Sequence, residues 1–467
     1  MRKLFGTDGI RAVAGVAPLD ERTVFAVGVA LAHTLGAGAA IGPVRVLLGL
    51  DTRESGPWIA AALAAGLRDG GAAVENAGVI TTPAIAYLAR KHGFSAGVVI
   101  SASHNPWQDN GIKIFGGDGY KLPDEVELGI EAEIERVLAN DVKQILRSTQ
   151  EDNSEGDALP EVNESFRAEY VQFLLDTVPG LSLDNRTVVI DCANGAAYKV
   201  APRVLADLGA EIVPIGCSPN GRNINDGCGS TAPELLQLTV PGVRAHVGLA
   251  LDGDGDRVMM VDELGRCVDG DQLLFILATA RRKSGELRGP VVGTVMSNLG
   301  LEHALAERDI GFRRAQVGDR YVLGLLNETG GTLGGETSGH ILCLDKTTTG
   351  DGLVSALQVL AVMKSTGASL AELAAPMRRY PQALLNVKVA RRFDPMADPG
   401  VAAAAAKVER QFAGRGRIVL RASGTEPVIR VMVEGADADL VKRGARDIVV
   451  AVEAAASAGA ADGSLSE

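Results

Sequence analysis

The chain has 467 residues and a formal net charge of −12, and its residues are 46% hydrophobic and 22% charged. This length predicts two to four domains, and the composition is ordinary for a soluble globular protein. The acidic balance argues against nucleic acid or an anionic membrane surface as a partner, because like charges repel. Aromatic residues make up only 4%, so the cores must be built from aliphatic side chains, which favours α/β layers.

Neither the cysteines nor the N-terminal sequence indicates an exported or membrane-bound protein. Five cysteines are scattered without a CxxC pair, which predicts reduced thiols in a cytoplasmic protein. The opening MRKLFGTDGIR lacks the apolar segment of a signal peptide. The longest apolar region, between Thr23 and Leu50, is interrupted by His33, several glycines and Pro43, so no segment is expected to span a bilayer.

Strand and helix patterns alternate in the first third of the chain. The predicted elements are a strand at 44–50, a helix at 57–67, a strand at 73–80, a helix at 83–91 and a strand at 96–100. This order predicts a mostly parallel sheet with helices on its faces. The polar, acidic stretch at 150–164 then predicts a connection near a domain boundary.

The pattern restarts twice and then changes to a smaller unit. The further predicted elements are strands at 187–190, 211–215, 245–251, 291–295, 418–421 and 428–433, and helices at 196–208, from 272, from 299 and at 402–412. The Ala-, Gly- and Ser-rich tail at 454–467 predicts a frayed end. We therefore expect three α/β domains and a C-terminal α+β domain, at 1–160, 161–265, 266–380 and 381–467.

The segment SASHNPWQDNGIKIF follows the strand at 96–100. Its polar groups therefore lie at the C-terminal end of a strand, where ligand sites of α/β sheets cluster. A serine nucleophile needs a neighbouring base or positive charge, and His104 and Lys113 follow Ser103 closely in sequence. A polar turn with capping serines would explain the same residues.

In the segment LDGDGDRVMMV, Asp252, Asp254 and Asp256 alternate with glycines. Two like charges about 4 Å apart repel by roughly 4 kcal/mol at an effective dielectric constant near 20, so three converging carboxylates need a cation, and oxygen ligands favour Mg²⁺ or Ca²⁺. A calcium EF-hand is excluded because Arg257 occupies the position that needs glycine, and because the flanks look like strands. A solvent-exposed acidic hairpin remains the alternative.

The segment GGETSGH offers groups that suit a sugar. Its glycines let the backbone approach a ligand, while Glu336 and Ser338 supply an acceptor and a hydroxyl. A Gly-rich turn between two elements would explain the segment equally well. His340, taken alone, is more typical of a structural histidine than of a catalyst.

The segment RASGTEPVIR places Arg421 and Arg430 on either side of a Ser-Gly-Thr turn. Arginine binds phosphate through two parallel hydrogen bonds, and such a turn can aim backbone N–H groups at an anion. The segment therefore predicts either a phosphate clamp or an ordinary surface turn.

Taken together and in this order, these four segments and the opening FGTDGIR resemble the α-D-phosphohexomutase superfamily over almost the whole chain. The resemblance implies four domains around a central cleft, with one motif from each domain. It also implies an enzyme that moves phosphate between two positions of one sugar through phosphorylated Ser103 and a bisphosphate intermediate. The segments GGETSGH, FGTDGIR and VGDRYV are similar to those of phosphoglucosamine mutases. That subfamily converts glucosamine 6-phosphate into glucosamine 1-phosphate for UDP-N-acetylglucosamine and cell-wall synthesis.

The resemblance also implies a role for each motif residue. The implied catalytic residues are Ser103, Arg11, His104, Lys113 and His340. The implied Mg²⁺ ligands are phosphorylated Ser103, Asp252, Asp254 and Asp256. The implied substrate-binding residues are Arg257, Glu336, Ser338, Arg421, Ser423, Gly424, Thr425 and Arg430. Either Lys113 or His340 handles the proton of the sugar hydroxyl.

Three other functions fit part of the pattern: a phosphoglucomutase or phosphomannomutase, a Mg²⁺-dependent sugar phosphatase, and a non-catalytic sugar-phosphate sensor. A dehydrogenase is disfavoured because no GxGxxG motif follows the early strands. The expected partners are a hexosamine phosphate, a kinase or autophosphorylation as the source of the serine phosphate, and glucosamine or glucose 1,6-bisphosphate as an activator. The sequence leaves open whether the chain forms a homodimer.

Overall fold

The computed structural model describes residues 4–6, 8–38, 42–140, 158–390, 393–422 and 427–462. Four β-sheets follow one another along the chain, with helices packed on them. Three sheets are mixed and the last is antiparallel. The predicted fold, three α/β units followed by an α+β unit, is confirmed, while the predicted domain boundaries stay predictions. No helix in the described ranges is long and apolar enough to cross a membrane.

The first unit contains a six-stranded sheet in the order β1-β2-β6-β5-β3-β4. Its strands are β1 (Phe5–Gly6), β2 (Gly9–Val13), β3 (Arg45–Leu50), β4 (Ala73–Val79), β5 (Ala96–Ile100) and β6 (Asp109–Gly116), and its helices are Glu21–Gly38, Gly56–Asp69, Thr82–Lys91 and Asp124–Asn140. Strand β3 pairs in parallel with β4 and β5, whereas β6 runs antiparallel to β5 and β2. All five residues of β5 are buried, as expected for a strand covered by helices on both faces.

The second unit contains a five-stranded sheet in the order β11-β10-β9-β7-β8. Its strands are β7 (Thr187–Asp191), β8 (Glu211–Ile215), β9 (Val247–Leu251), β10 (Val258–Val261) and β11 (Cys267–Val268), and its helices are Ser165–Asp176, a short 3₁₀ turn at Ala196–Tyr198, Val200–Asp207 and Glu234–Gly242. The aspartate-rich loop connects β9 to β10, two antiparallel strands. The strands predicted on both sides of this loop are therefore present, which is incompatible with an EF-hand.

The third unit contains a four-stranded sheet in the order β13-β12-β14-β15. Its strands are β12 (Val291–Thr294), β13 (Phe312–Ala315), β14 (Leu333–Gly335) and β15 (Ile341–Cys343), and its helices are Gly270–Ser284, Leu299–Ala306, Asp319–Thr329, Gly352–Thr366 and Leu370–Ala374. Two of these helices begin at an aspartate whose side chain accepts backbone N–H groups, Asp269 in a capping box and Asp351 as a simple N-cap.

The fourth unit contains an antiparallel sheet in the order β16-β18-β17. Its strands are β16 (Gln382–Lys388), β17 (Gly416–Ala422) and β18 (Val428–Gly435), and its helices are a 3₁₀ turn at Pro395–Ala397, Pro399–Phe412 and Ala438–Asp462. The last helix continues through most of the tail that was predicted to fray. Ala455 and Ala456 pack against the core of this unit, and alanine favours helix, so that prediction was wrong as far as Asp462.

The predicted helix at 196–208 is divided in the structure into the 3₁₀ turn at Ala196–Tyr198 and the helix Val200–Asp207. The reason lies in the contact of this turn with the aspartate-rich loop, because Ala196 N donates to Gly253 O at 2.8 Å. The start of the segment is therefore shaped by the neighbouring loop and not by helix propensity alone.

The first three units share one hydrophobic cluster, which includes Leu47, Val99, Leu249, Leu273 and Leu353. The loops at the ends of their strands are therefore held in a fixed relation to one another. The fourth unit has a separate hydrophobic cluster.

A partly buried ion pair within the fourth unit also makes hydrogen bonds to the third unit. Arg417 Nε lies 2.7 Å from Glu434 Oε2, and Arg417 Nη1 donates to Val295 O at 2.8 Å. Leu299 N donates to Glu434 Oε1 at 2.8 Å. Directional polar contacts thus attach the fourth unit to the third.

Candidate active site

Ser103 lies in the loop that follows β5, with a left-handed backbone φ of +53°, and its exposed fraction is only 1%. Its Oγ donates a hydrogen bond of 2.5 Å to Asp252 Oδ2, and it lies 3.4 Å from His104 Nδ1. Asp252 directly follows β9 of the second unit. The ends of two central strands, from different sheets, therefore meet at this serine.

The three aspartates of the second unit form a compact cluster with Ser103. Carboxylate oxygens of Asp252, Asp254 and Asp256 all lie within 4.8 Å of one another, and all three residues are buried. Gly253 lets the aspartate-rich loop approach the loop of Ser103 closely, because a Cβ atom at position 253 would lie 2.6 Å from Ser103 O. Burial and the charges of Asp256 and Asp254 raise the pKa of Asp252 well above its usual value.

The cluster fits a hard divalent cation. Asp254 Oδ1 and Asp256 Oδ1 are buried without a hydrogen-bond partner among the described residues. Such oxygens are costly to bury unless a cation or donor meets them. Three carboxylates and a serine oxygen also match the all-oxygen ligand set of Mg²⁺ or Ca²⁺.

Lys113, on β6, supplies a positive charge within the same cluster. Its Nζ lies 2.8 Å from Asp254 Oδ2, 3.4 Å from Asp256 Oδ2 and 2.9 Å from Asp8 Oδ2. Burial opposes the charge, but these three carboxylates outweigh it and raise the pKa of Lys113 well above its usual value. Lys113 is therefore a fixed ammonium enclosed by acids.

The two histidines near the cluster differ in charge. Burial opposes protonation of His340, but Asp256, 3.6 Å away, and Asp319, 3.7 Å away, raise its pKa to about 9. Burial, together with the charges of Arg257 and Arg11, lowers the pKa of His104 to about 4. At neutral pH His340 is a cation and His104 is a neutral imidazole.

A cleft of about 470 Å³ opens beside the cluster, between the first three units. Its lining includes the predicted residues Arg11, His104, Asp256, Arg257, Glu336 and His340. Glu336 is oriented by Gly318 N, which donates to its Oε1 at 3.0 Å. Several positively charged side chains lie beside an acidic cluster that can hold a metal ion. The cleft is therefore suitable for a phosphorylated ligand with many hydroxyl groups.

Other predicted residues do not line this cleft. Ser338 is exposed to solvent. Arg421 and Arg430 lie opposite one another across the β17–β18 pair, and in the described part of the chain neither contributes to the cleft lining. Burial and the charge of Arg430 lower the pKa of Arg421. The predicted residues Ser423, Gly424 and Thr425 lie outside the described residues.

The structure adds polar residues that the site prediction missed. Lys121 Nζ hydrogen-bonds Asp8 and lies 2.5 Å from Asp319 Oδ2, and both Lys121 and Asp319 line the cleft. Thr82 Oγ1 donates to Asp254 Oδ2 at 2.5 Å. Asp8 and Asp319 belong to the segments FGTDGIR and VGDRYV and could have been found there, whereas Lys121 lies in none of the recognised segments.

Comparison with known families matches all four units in order. The matches are phosphoglucomutase/phosphomannomutase alpha/beta/alpha domain I at residues 2–141, domain II at 168–265, domain III at 269–380 and the C-terminal domain at 384–451. The chain therefore belongs to the phosphoglucomutase/phosphomannomutase family, and the predicted superfamily is confirmed.

Individual relatives agree with this assignment. A phosphoglucosamine mutase of Aeromonas hydrophila subsp. hydrophila is 48% identical over 456 residues, which cover 97% of this chain and 99% of the relative. A phosphoglucomutase/phosphomannomutase family protein of Burkholderia thailandensis has the same fold, with a TM-score of 0.75 and 24% identity, over 96% of this chain and 97% of that one. The chain is thus an enzyme of the isomerase class, as predicted.

A third comparison includes bound ligands. An N-acetylphosphoglucosamine mutase of Aspergillus fumigatus, solved in complex with GlcNAc-6P and magnesium, matches with a TM-score of 0.64 and 19% identity, over 97% of this chain and 96% of that one. At this identity the likeness shows the fold alone.

Proposed function

We propose that the chain interconverts glucosamine 6-phosphate and glucosamine 1-phosphate through a phosphate carried by Ser103. The observation that carries this proposal is the 2.5 Å contact of Ser103 Oγ with Asp252 inside an acidic cluster beside a cationic cleft. The choice of glucosamine is supported by the full-length relative named phosphoglucosamine mutase and by the segment GGETSGH.

The cluster is proposed to hold Mg²⁺ when Ser103 is phosphorylated. The ligands would be an oxygen of that phosphate and one oxygen each of Asp252, Asp254 and Asp256. The ion would supply positive charge against the transferring phosphoryl group. The buried oxygens of Asp254 and Asp256 that accept no hydrogen bond within the described residues support this role, and so does the magnesium bound in the Aspergillus fumigatus enzyme.

The protein's own contribution to the chemistry is mainly positioning, because phosphoryl transfer passes through a loose transition state. Phosphorylated Ser103 transfers its phosphoryl group to the free hydroxyl of the sugar phosphate, which gives a bisphosphate and a free serine hydroxyl. The bisphosphate reorients in the cleft, and its other phosphoryl group returns to Ser103. Arg11, Arg257 and Glu336 line the cleft. The two arginines are proposed to bind the phosphates, and Glu336 is proposed to accept a hydrogen bond from a sugar hydroxyl.

The attacking hydroxyl must release a proton when its new bond to phosphorus forms. Two candidates were left open by the sequence, Lys113 and His340. His340 lines the cleft, whereas Lys113 Nζ is enclosed by Asp8, Asp254 and Asp256. Access therefore favours His340, which must lose its own proton before it can accept this one, and leaves Lys113 to fix the charge of the cluster.

Fourth-unit residues are proposed to bind the phosphate that does not react. Arg421 and Arg430 face one another across β17 and β18, and the chain between them includes Ser423, Gly424 and Thr425. The first phosphate on Ser103 would come from glucosamine or glucose 1,6-bisphosphate, from a kinase or from autophosphorylation.

The proposal is tested by incubating the phosphorylated chain and Mg²⁺ with glucosamine, glucose or mannose 6-phosphate and following the products by phosphorus NMR. The expected result is the 1-phosphate of the same sugar, with the highest kcat/KM for glucosamine. A higher kcat/KM for glucose or mannose would assign a related mutase activity. Release of inorganic phosphate without any 1-phosphate would indicate a phosphatase and overturn the proposal.

A further inference from the structure

We propose that Arg53, held by Asp51, is a positioning residue for Ser103, whose backbone it locks so that Oγ points into the aspartate cluster. The inference deepens the proposed function and rests on it for the kinetic readout. Arg53 follows β3, which pairs in parallel with β5, the strand that leads into the serine loop. Its exposed fraction is only 1%.

The guanidinium group of Arg53 binds four backbone carbonyl oxygens of the serine loop. Its Nη2 donates to Ser103 O at 3.0 Å and to Asn105 O at 2.8 Å. Its Nη1 donates to Asp109 O at 2.8 Å and also to Pro106 O. One buried side chain thus binds four carbonyl groups of this loop.

Only arginine suits this arrangement. A buried carbonyl oxygen without a partner is destabilising, and a lysine ammonium has three donors in place of the five donors of a planar guanidinium. Ser103 also adopts a left-handed φ of +53°, a conformation that is unfavourable for a residue other than glycine. External hydrogen bonds are therefore needed to hold the loop in this conformation.

Asp51 fixes both the arginine and the amide of Ser103. Asp51 Oδ2 lies 2.8 Å from Arg53 Nε and accepts a hydrogen bond of 2.6 Å from Ser101 Oγ. Ser101 Oγ in turn accepts a hydrogen bond of 3.0 Å from Ser103 N. The N–H group of Ser103 is thus tied to Asp51 through Ser101, and its carbonyl group is tied to the same carboxylate through Arg53.

Asn225 of the second unit reaches the same carbonyl from the other side. Its Nδ2 donates to Ser103 O at 2.9 Å and to Asn105 O at 3.1 Å. Within the described residues Arg53 does not line the cleft. Its influence on the reaction must therefore pass through Ser103, which makes it a positioning residue and not a catalytic one.

The experiment compares Arg53→Lys with wild type by steady-state kinetics on glucosamine 6-phosphate. We expect kcat to fall by about 100-fold, because a misplacement near 1 Å has that effect, while KM changes less than about 3-fold. Arg281→Lys is the matched control, since Arg281 is also buried and paired, with Asp345 2.8 Å away in the third unit. The control should retain wild-type kcat.

A milder variant protects the test against a folding defect. Asn225 has a φ of +59°, which glycine adopts readily. Asn225→Gly therefore keeps the backbone conformation and removes only the side-chain amide. We expect kcat to fall by roughly 3- to 10-fold. The double variant should lose less than the product of the two single losses, since both side chains act on one carbonyl group. Asn185→Gly, at an exposed asparagine with φ of +61°, is the control.

A second readout does not depend on mutase turnover. The rate at which glucose 1,6-bisphosphate phosphorylates Ser103, followed by intact mass, should fall in Arg53→Lys about as much as kcat. If wild type forms no sugar 1-phosphate, the proposed function fails, while this labelling rate still tests Arg53. Wild-type kcat and labelling in Arg53→Lys would overturn the inference. If Arg53→Lys does not fold, wild-type kcat in Asn225→Gly would overturn it.

Discussion

Ser103 Oγ and Asp252 Oδ2 lie 2.5 Å apart, although 149 residues separate them in the sequence. The contact joins the first sheet to the second at the point where their central strands end. A phosphate on Ser103 would bring a charge of about −1.5 to −2 against three buried carboxylates. The charge balance of the phosphorylated enzyme therefore requires positive charge beyond that of Lys113.

Removal of divalent metal should abolish mutase turnover, and Mg²⁺ should restore it. Binding should also raise the free energy of unfolding by about 2.7 kcal/mol at a Mg²⁺ concentration 100 times its dissociation constant. Asp254→Asn removes one ligand charge and should largely eliminate this stabilisation, measured as the shift in melting temperature with Mg²⁺. Asp207→Asn changes an exposed aspartate and should leave the shift intact. An equal shift in Asp254→Asn and wild type would place the metal elsewhere.

Ser103→Ala should lose the phosphate from the intact mass and reduce kcat by at least about 1000-fold, because the group that carries the phosphoryl is gone. Ser365→Ala, at an exposed serine of the third unit, should keep both. The intact mass and the kcat for glucosamine 6-phosphate are measured on the same preparations. Phosphate retained on Ser103→Ala would mean that another residue is modified.

Arg421→Ala should raise the KM for glucosamine 6-phosphate and for glucosamine 1-phosphate by a similar factor, roughly 10-fold or more. The reason is that the clamp must bind a phosphate at either end of the sugar during the two half-reactions. Arg446→Ala, on the exposed side of the last helix, serves as the control for total charge. An effect on one substrate alone would contradict a clamp that binds both orientations.

The contribution of Asp271 to the stability of the chain should decrease with rising pH between about pH 4 and 7. Burial and the charge of Asp269 raise the pKa of this carboxyl from 3.8 to about 7. In this window Asp271 binds more protons in the folded chain than in the unfolded chain. Its contribution to the free energy of unfolding therefore falls by up to about 1.4 kcal/mol per pH unit. The Asp271 side chain supports the segment GGETSGH, since Thr337 Oγ1 donates to Asp271 Oδ2 at 2.8 Å.

Asp271→Asn should remove this contribution to the slope. Urea unfolding of the variant and of wild type at several pH values measures it, and Asp309→Asn, at an exposed aspartate, should keep the wild-type slope. Parallel stability curves for Asp271→Asn and wild type would mean that Asp271 does not titrate in this range.

Local patterns in the sequence were sufficient for much of the fold. The β5 and β8 runs match their predicted bounds, because short runs rich in β-branched apolar residues and bounded by turn signals are typical of strands. The antiparallel strands β2 and β6 were not predicted, since their pairing is a contact between distant segments. The tail at 454–467 was predicted to fray because it is rich in Ala, Gly and Ser, yet the last helix continues to Asp462, and Ala455 and Ala456 pack against the fourth core.

The site was only partly accessible to sequence reasoning for a similar reason. Ser103 and the three aspartates stand in recognisable segments, and the structure brings them together. Lys121 lies in none of those segments and becomes part of the cleft only through its contacts with Asp8 and Asp319.

The most direct test of a phosphate carried by Ser103 is a single-turnover chase with radiolabelled enzyme. Ser103 is first labelled with radioactive phosphate, and then unlabelled glucosamine 6-phosphate and Mg²⁺ are added. The account predicts that the label leaves the protein within one turnover and appears in glucosamine 1,6-bisphosphate and then in sugar monophosphate. Label that stays on the protein during turnover, or that appears only as inorganic phosphate, would contradict it.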